Sequence, residues 1–336
     1  MSRSRPMMAV AAALVLVLAG CGGGKQSGDP VDQVPQANGL RDKVVTAQSP
    51  KPADFPATKG RTLQQVANGI GGGKIQAALA SSQFDVGSNR LAFGVIDDQG
   101  QFVYGKTAVY IAPKPGKPAQ GPFVAPADVL LTKPAYRSKQ AATEQDPFSA
   151  IYAAQVPFRK AGKWTILVAT QAGGKLVAAP SQVQVSTPQD DPIPRVGEMA
   201  PKVTTDTLAS AKGDVSKIDT RQPPDDMHGV QFADVVGKKP VALLFATPQL
   251  CQSRVCGPVT DVAEQMKATY GKQIDFIHQE VYVDNDPRKG LREPLRQFDL
   301  RTEPWLFVVN RQGRITARLE GSIGVHAFEQ ALKTAL

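Results

Sequence analysis

The sequence predicts two folded parts of different class, a β-sandwich over residues 61–186 followed by an α/β domain over residues 202–336. Three observations carry this. Between residues 84 and 186, short β-rich runs alternate with turn signals, and no helix-period segment of useful length interrupts them. Residues 187–201 then hold Pro188, Pro192, Pro194 and Pro201 beside an Asp190-Asp191 pair, the composition of an extended spacer. Beyond that spacer, strand patterns alternate with helical ones. A chain of 336 residues has room for two domains of ordinary size.

At the start, Arg3 and Arg5 precede an apolar run over 7–18 that ends in Leu18-Ala19-Gly20-Cys21. The run is shorter than the roughly 20 residues a spanning helix needs, so residues 1–20 read as an export signal. Residues 21–60, opened by Gly22-Gly23-Gly24 and rich in polar residues and proline, are expected to be a flexible tether. A short helix is compatible with residues 62–80. The run from Arg90 to Ile96 passes through Asp97-Asp98-Gln99-Gly100 into Gln101-Phe102-Val103-Tyr104, the composition of a hairpin. Further strands are expected at Thr107–Ala112, 151–156, 164–170 and 182–186, and one helical segment is compatible with 126–131. The pattern resembles immunoglobulin-like or fibronectin-like modules, with Trp164 in the core. No residue of this part reads as catalytic.

In the α/β part, the continuous apolar run Val241-Ala242-Leu243-Leu244-Phe245 predicts a strand covered on both faces. Val259, Val262, Ala263, Met266 and Tyr270 recur at offsets of three and four and predict a helix, with Pro258 just inside its start and Gly271 at its end. A strand over 274–283, a helix containing Leu291, Leu295 and Phe298, and a strand at Trp305–Val309 follow. The turn Asn310-Arg311-Gln312-Gly313 leads into a strand over 314–319. Val325, Phe328, Leu332 and Leu336 close the chain at helical spacing.

Of three cysteines, one ends the leader, and Cys251 and Cys256 have only each other as intramolecular partners. Both lie between the apolar strand and the helix. A sulfur at that helix start faces unpaired N–H groups and the positive dipole end, which stabilise thiolate over thiol. Outside the cytoplasm, an oxidised pair is the expected resting state.

Four stretches resemble the thioredoxin-like superfamily, nearest to membrane-anchored TlpA-like thiol reductases. They are Val196-Gly197-Glu198-Met199-Ala200-Pro201, the turn Asp234-Val235-Val236-Gly237-Lys238-Lys239-Pro240, the run Phe245-Ala246-Thr247, and Thr302-Glu303-Pro304-Trp305 with its hairpin. The resemblance implies that Cys256, with Gly257-Pro258, is the attacking cysteine and that Pro304, in cis, presents the backbone of Glu303 to an extended substrate. Val259 stands where the resolving cysteine usually is, which leaves Cys251 to resolve. Leu244 replaces a buried carboxylate, and no tryptophan precedes the nucleophile. Glu303 is expected near the sulfurs, where it disfavours a second negative charge.

The chain opening resembles bacterial lipoproteins. That resemblance implies cleavage before Cys21, acylation of its sulfur with a palmitate-type chain, and a lipid anchor on the extracytoplasmic face of the cell membrane. Partners are then the membrane and the thiols of exported proteins or a redox partner. The net charge of +9 is spread without any Lys/Arg block interleaved with aromatics, which excludes nucleic-acid recognition from the expected functions. The main reading is a thiol–disulfide oxidoreductase with an atypical Cys-x4-Cys pair and no cofactor. The competing reading is a redox-inert binding lipoprotein whose disulfide is a staple, and a third is copper handling of the Sco type. His278 in a strand, His326 near the last helix and His228 in an exposed loop do not cluster in sequence, so no metal site is expected.

Overall fold

The computed structural model describes residues 28–141, 148–251 and 254–336. The export signal and Cys21 lie outside the described residues. Residues 30–60, expected to be a tether, instead pack onto the first domain. Val31 and Val34 precede helix α1 (Leu40–Ala47), and together with Val44 and Ala47 they enter the sandwich core. With Leu40 packed beside them and Phe55 buried in a second cluster, these few apolar residues dock the segment although its overall composition is polar. Helix α2 (Leu63–Ile70) opens with a reciprocal cap: Gln65 N donates to Thr62 Oγ1 at 3.2 Å, and Thr62 N donates to Gln65 Oε1 at 2.8 Å.

Eight strands follow: β1 (Ile75–Leu79), β2 (Gly87–Asp97), β3 (Thr107–Ala112), β4 (Gln120–Val124), β5 (Ala127–Val129), β6 (Ala150–Phe158), β7 (Gly162–Ala172) and β8 (Lys175–Val185). They form two antiparallel sheets, ordered β1-β2-β6-β5 and β4-β3-β7-β8. Alternate residues of both sheets share one core: Leu91, Phe93 and Val95 from β2 meet Val109 and Ile111 from β3 and Trp164, Ile166 and Val168 from β7. The helix allowed at 126–131 is the short strand β5, because Tyr152 and its neighbours on β6 offer a ladder to pair with. The expected hairpin partner at 101–104 pairs only at an isolated Ile96–Phe102 bridge.

The second part runs α3 (Phe232–Val235), β9 (Val241–Phe245), α4 (Cys256–Tyr270), β10 (Asp275–Gln279), α5 (Glu293–Gln297), β11 (Trp305–Val309), β12 (Ile315–Glu320) and α6 (Val325–Lys333). Its sheet order is β10-β9-β11-β12, with β10 parallel to β9 and β11 antiparallel to both its neighbours. This strand–helix–strand unit followed by a hairpin and a closing helix is the thioredoxin-like arrangement. Both faces of β9 are covered. Ala242 and Leu244 face a core shared with α4 and α6, while Val241, Leu243 and Phe245 face a core containing Phe232, Leu295 and Phe298.

The two parts are closely docked. Glu320 at the end of β12 accepts from Ser82 N, Ser82 Oγ and Gln83 N at 2.8, 2.6 and 2.8 Å. Asp128 on β5 accepts from His326 N and Ala327 N at the start of α6, both at 2.9 Å. The spacer at 187–201 is pinned as well: Ile193 is buried and Asp191 pairs with Arg318 at 2.8 Å. No described helix is long and apolar enough to cross a membrane.

Candidate functional site

Cys251 and Cys256 are joined as a disulfide, with Cα atoms 6.0 Å apart. Strand β9 ends at Phe245, and Cys256 opens α4, with Cys251 in the segment between them. Cys256 is the first residue of α4 and packs in the core shared by Leu244, Val259 and Met266. It is 0% exposed, whereas Cys251 is half-buried. The closure comes partly from the first domain. Residues 132–141 lie over the start of α4, and a Cβ on Gly257 would stand 2.9 Å from the Gln140 backbone oxygen.

That lid is fixed by polar bonds to the helix. Asp261 accepts from Ser138 N at 2.9 Å and from Ser138 Oγ at 3.2 Å, and it pairs with Arg221 Nε at 3.0 Å. Arg221 also donates to Tyr136 O at 2.8 Å and Pro223 O at 2.7 Å, so one guanidinium ties three segments. Burial pushes the Asp261 carboxyl up to about 6 against the opposing pull of Ser138 and Arg221. Gln265 Oε1 accepts from Lys133 N at 2.8 Å further along the helix.

Beside the disulfide loop lies a cleft of about 520 Å³ between the two parts. It is lined by Arg254, Val255 and Pro258, next to the cysteines in sequence. The lining also includes Thr302 and Glu303 and the apolar Leu79, Phe102, Phe148 and Ile151. The Glu303–Pro304 peptide is cis, and burial raises the Glu303 carboxyl above the ordinary carboxylate range. Pro304 itself is buried. Thr302 Oγ1 donates to Glu320 at 2.8 Å, which ties this loop to the same carboxylate that holds Ser82.

A second polar group lies at the carboxyl ends of β9 and β10. Asp219, Asp225, His228 and His278 are all buried, and ligand atoms from all four lie within 4.8 Å of one another. His228, expected in an exposed loop, is 3% exposed: the Pro/Asp-rich segment around it folds over the sheet edge instead of into solvent. His278 Nδ1 is 2.7 Å from Asp225 Oδ2, and its Nε2 is 3.1 Å from Ala246 O. Burial would push His278 down, but Asp225, Asp219 and Glu280 outweigh it and raise it to about 10. Burial would likewise raise Asp225, yet His278 and His228 hold it at about 2. His326 is exposed and stands apart from this group. The sequence signal for the group was Asp219, Asp225 and His228 within ten residues, set in a Pro-rich stretch that reads as loop.

No family model matches the chain, and no curated protein matches it significantly. Solved structures with some likeness include a thiol:disulfide interchange protein, DsbE, from Chlorobium tepidum. It is 17% identical, with a TM-score of 0.30, and the match covers 42% of this chain and 98% of that one. A thioredoxin-like superfamily protein, SPOA0173, is 12% identical with a TM-score of 0.26, covering 32% of this chain and 84% of that one. The Lin-41 filamin domain is 7% identical with a TM-score of 0.19, covering 34% of this chain and 98% of that one. The fold assignment rests on strand order and register, not on these likenesses.

Proposed function

We propose that the protein exchanges thiols and disulfides with extended polypeptide segments at the cleft between its two parts. The observation that carries this reading is the cleft itself, whose lining brings Arg254, Val255 and Pro258, beside the cysteines in sequence, together with Thr302 and Glu303. Its apolar lining suits a partner segment with a hydrophobic side chain near its cysteine. The burial difference reverses the order of attack that the resemblance implied. A partner thiolate reaches Cys251 first; as its sulfur bonds to Cys251 Sγ, the Cys251–Cys256 bond breaks and Cys256 leaves as a thiolate. The helix start stabilises that leaving charge. A second partner thiol then attacks the mixed disulfide, so the partner is oxidised by two electrons and the pair is reduced. The reverse sequence reduces a partner disulfide, with Cys251 attacking and Cys256 resolving.

Two properties extend the proposal. Acylation at Cys21 would hold the site at the extracytoplasmic membrane face, where exported proteins are the partners. The first domain, resembling immunoglobulin-like modules, would act as docking wall and lid. The complete burial of Cys256 favours a second reading, a redox-inert staple in a binding protein. Reduction potential and exchange rate of the full chain in defined thiol buffers separate the two. A potential between about −120 and −270 mV with fast exchange supports catalysis, and one below about −300 mV with slow exchange supports the staple. Trapping gives the order: Cys256→Ser should accumulate a mixed disulfide through Cys251. Accumulation only in Cys251→Ser would restore attack by Cys256.

A further inference from the structure

We propose that Asp219, Asp225, His228 and His278 form a closed binding site for one divalent transition-metal ion, zinc by donor set, at the carboxyl edge of the central sheet. This does not rest on the redox reading. The first argument is spacing. Ligands about 2.0–2.2 Å from a tetrahedral zinc ion stand about 3.3–3.6 Å from one another. His228 Nε2 is 3.3 Å from both Asp219 Oδ2 and Asp225 Oδ1, and His278 Nδ1 is 3.9 Å from Asp219 Oδ1. These approaches use both oxygens of each carboxylate; the Asp225 Oδ2–His278 Nδ1 approach is closer, at 2.7 Å, and one donor atom from each residue lies within 4.8 Å of the others, so the group needs to open at Asp225–His278 and close elsewhere to hold the ion.

The second argument is His228. Its ring is 3% exposed, and neither nitrogen has a hydrogen-bond partner, because the 3.3 Å approaches to the carboxylates lack hydrogen-bond geometry. A buried imidazole nitrogen without a partner is costly, and a bond from Nε2 to a metal ion would satisfy the nitrogen that faces the carboxylates. His278 shows the complementary arrangement. With Nε2–H donating to Ala246 O, its Nδ1 is left facing the carboxylates, the orientation a ligating histidine takes when a backbone carbonyl fixes its tautomer.

The carboxylates are held in the same way. Asp219 accepts from Arg221 N and Asp225 N, both at 2.7 Å, and Asp225 Oδ1 accepts from Met227 N at 2.9 Å. These bonds fix the orientation of both carboxylates, as outer-shell partners do for metal ligands. The charge suits a cation: two carboxylates among the donors, with buried Glu280 nearby, favour a dication with both imidazoles neutral, while the neighbouring Arg221 guanidinium is committed to Asp261. Two oxygens and two imidazole nitrogens suit zinc better than the hard, oxygen-only preference of magnesium or calcium. Since all four side chains are buried, the ion would have no open position, and it would tie residues 219–228 to β10 as a structural staple.

The test uses the full chain with its disulfide oxidised, stripped with a chelator and titrated with Zn²⁺ and, separately, Co²⁺. One ion per chain is expected, with the visible absorption of tetrahedral Co²⁺ and no sulfur-to-cobalt charge-transfer band. His228→Gln should weaken binding by more than about 100-fold, beyond what loss of an outer-shell partner costs. The Cys251→Ser/Cys256→Ser double variant should bind the same single ion. Absence of stoichiometric binding, an octahedral spectrum, binding that survives His228→Gln, or binding lost with the cysteines would each overturn the assignment. If His228→Gln fails to fold, the wild-type Co²⁺ spectrum alone decides.

Discussion

Replacing Asp128 by alanine should uncouple the two halves of this molecule. Asp128 belongs to the first part, on β5, yet both its carboxylate oxygens accept backbone N–H groups at the start of α6, each at 2.9 Å. It is 9% exposed, and burial raises its carboxyl above the ordinary range despite those two bonds and the nearby Arg90. Hydrogen bonds to a charged acceptor contribute about 1.5–3 kcal/mol each, so the pair is worth about 3–6 kcal/mol before the carboxylate's own desolvation is subtracted. Relief of that desolvation in the variant brings the expected loss down to about 2–4 kcal/mol. Asp128→Asn keeps one acceptor and should cost about half as much. The chain has two tryptophans, Trp164 in the sandwich core and Trp305 in the α/β core, so each part can be followed separately in single Trp→Phe backgrounds. In urea, the wild type should show coincident transitions, while Asp128→Ala should move the Trp305 transition to lower denaturant and leave that of Trp164 nearly in place. Gly324→Ala should behave alike, because its Cβ would stand 2.3 Å from Asp128 Cγ. Coincident transitions in Asp128→Ala, with a loss below about 0.5 kcal/mol, would refute the reasoning, since a solvent water would then replace the cap at no cost.

Three further outcomes follow from the same contacts. Gly257→Ala forces its new methyl against the Gln140 backbone, so stability should fall by about 1–3 kcal/mol while reduction of the disulfide by a small thiol speeds up as the lid lifts; an unchanged reduction rate would show that residues 132–141 do not gate the pair. Asp261 titrates at about 6 in the native state, above its unfolded value near 3.9, so the native state holds the proton more tightly. Its contribution should therefore be present at low pH and be lost as pH rises from about 4 through 6, by about 3 kcal/mol, a slope that Asp261→Asn should remove from the pH dependence of the urea midpoint. Glu320→Ala deletes the acceptor for Ser82 N, Ser82 Oγ, Gln83 N and Thr302 Oγ1 and should cost about 1–3 kcal/mol. Amide exchange at Ser82 and Gln83 should rise in that variant, and unchanged protection would argue that the backbone there is held by other bonds.

The parts of the structure legible in sequence are those where one residue pattern serves one local role. β9 and β11 read correctly because all five residues of each are buried, leaving unbroken apolar runs. β3 read to the residue for the same reason. The segment at 28–60 did not, since the side chains that dock it, Val31, Val34, Leu40, Val44, Ala47 and Phe55, are scattered in a polar background and their partner surface belongs to strands far along the chain. The Asp/His group was invisible for a deeper reason. His278 lies fifty positions from His228, on a strand whose apolar neighbours explain its pattern without it, while Asp219 and Asp225 sit in a stretch whose prolines say loop. Composition reports how a segment meets water on average, and residues 219–228 depart from that average because Asp219 and Asp225 accept the backbone N–H groups of Arg221, Asp225 and Met227, which leaves the His228 ring as the buried polar group without a hydrogen bond. The disulfide shows the converse. Its location was readable from the strand before it and the helix after it, yet its surroundings were not, because the chain packed against α4 beside Cys256, at Gly257, Asp261 and Gln265, comes from the other part. The chemistry of this site is thus set by the second part, and part of its surroundings by the first, so whether the pair is catalyst or staple depends on how readily the bonds at Asp261 and Gln265 release the lid.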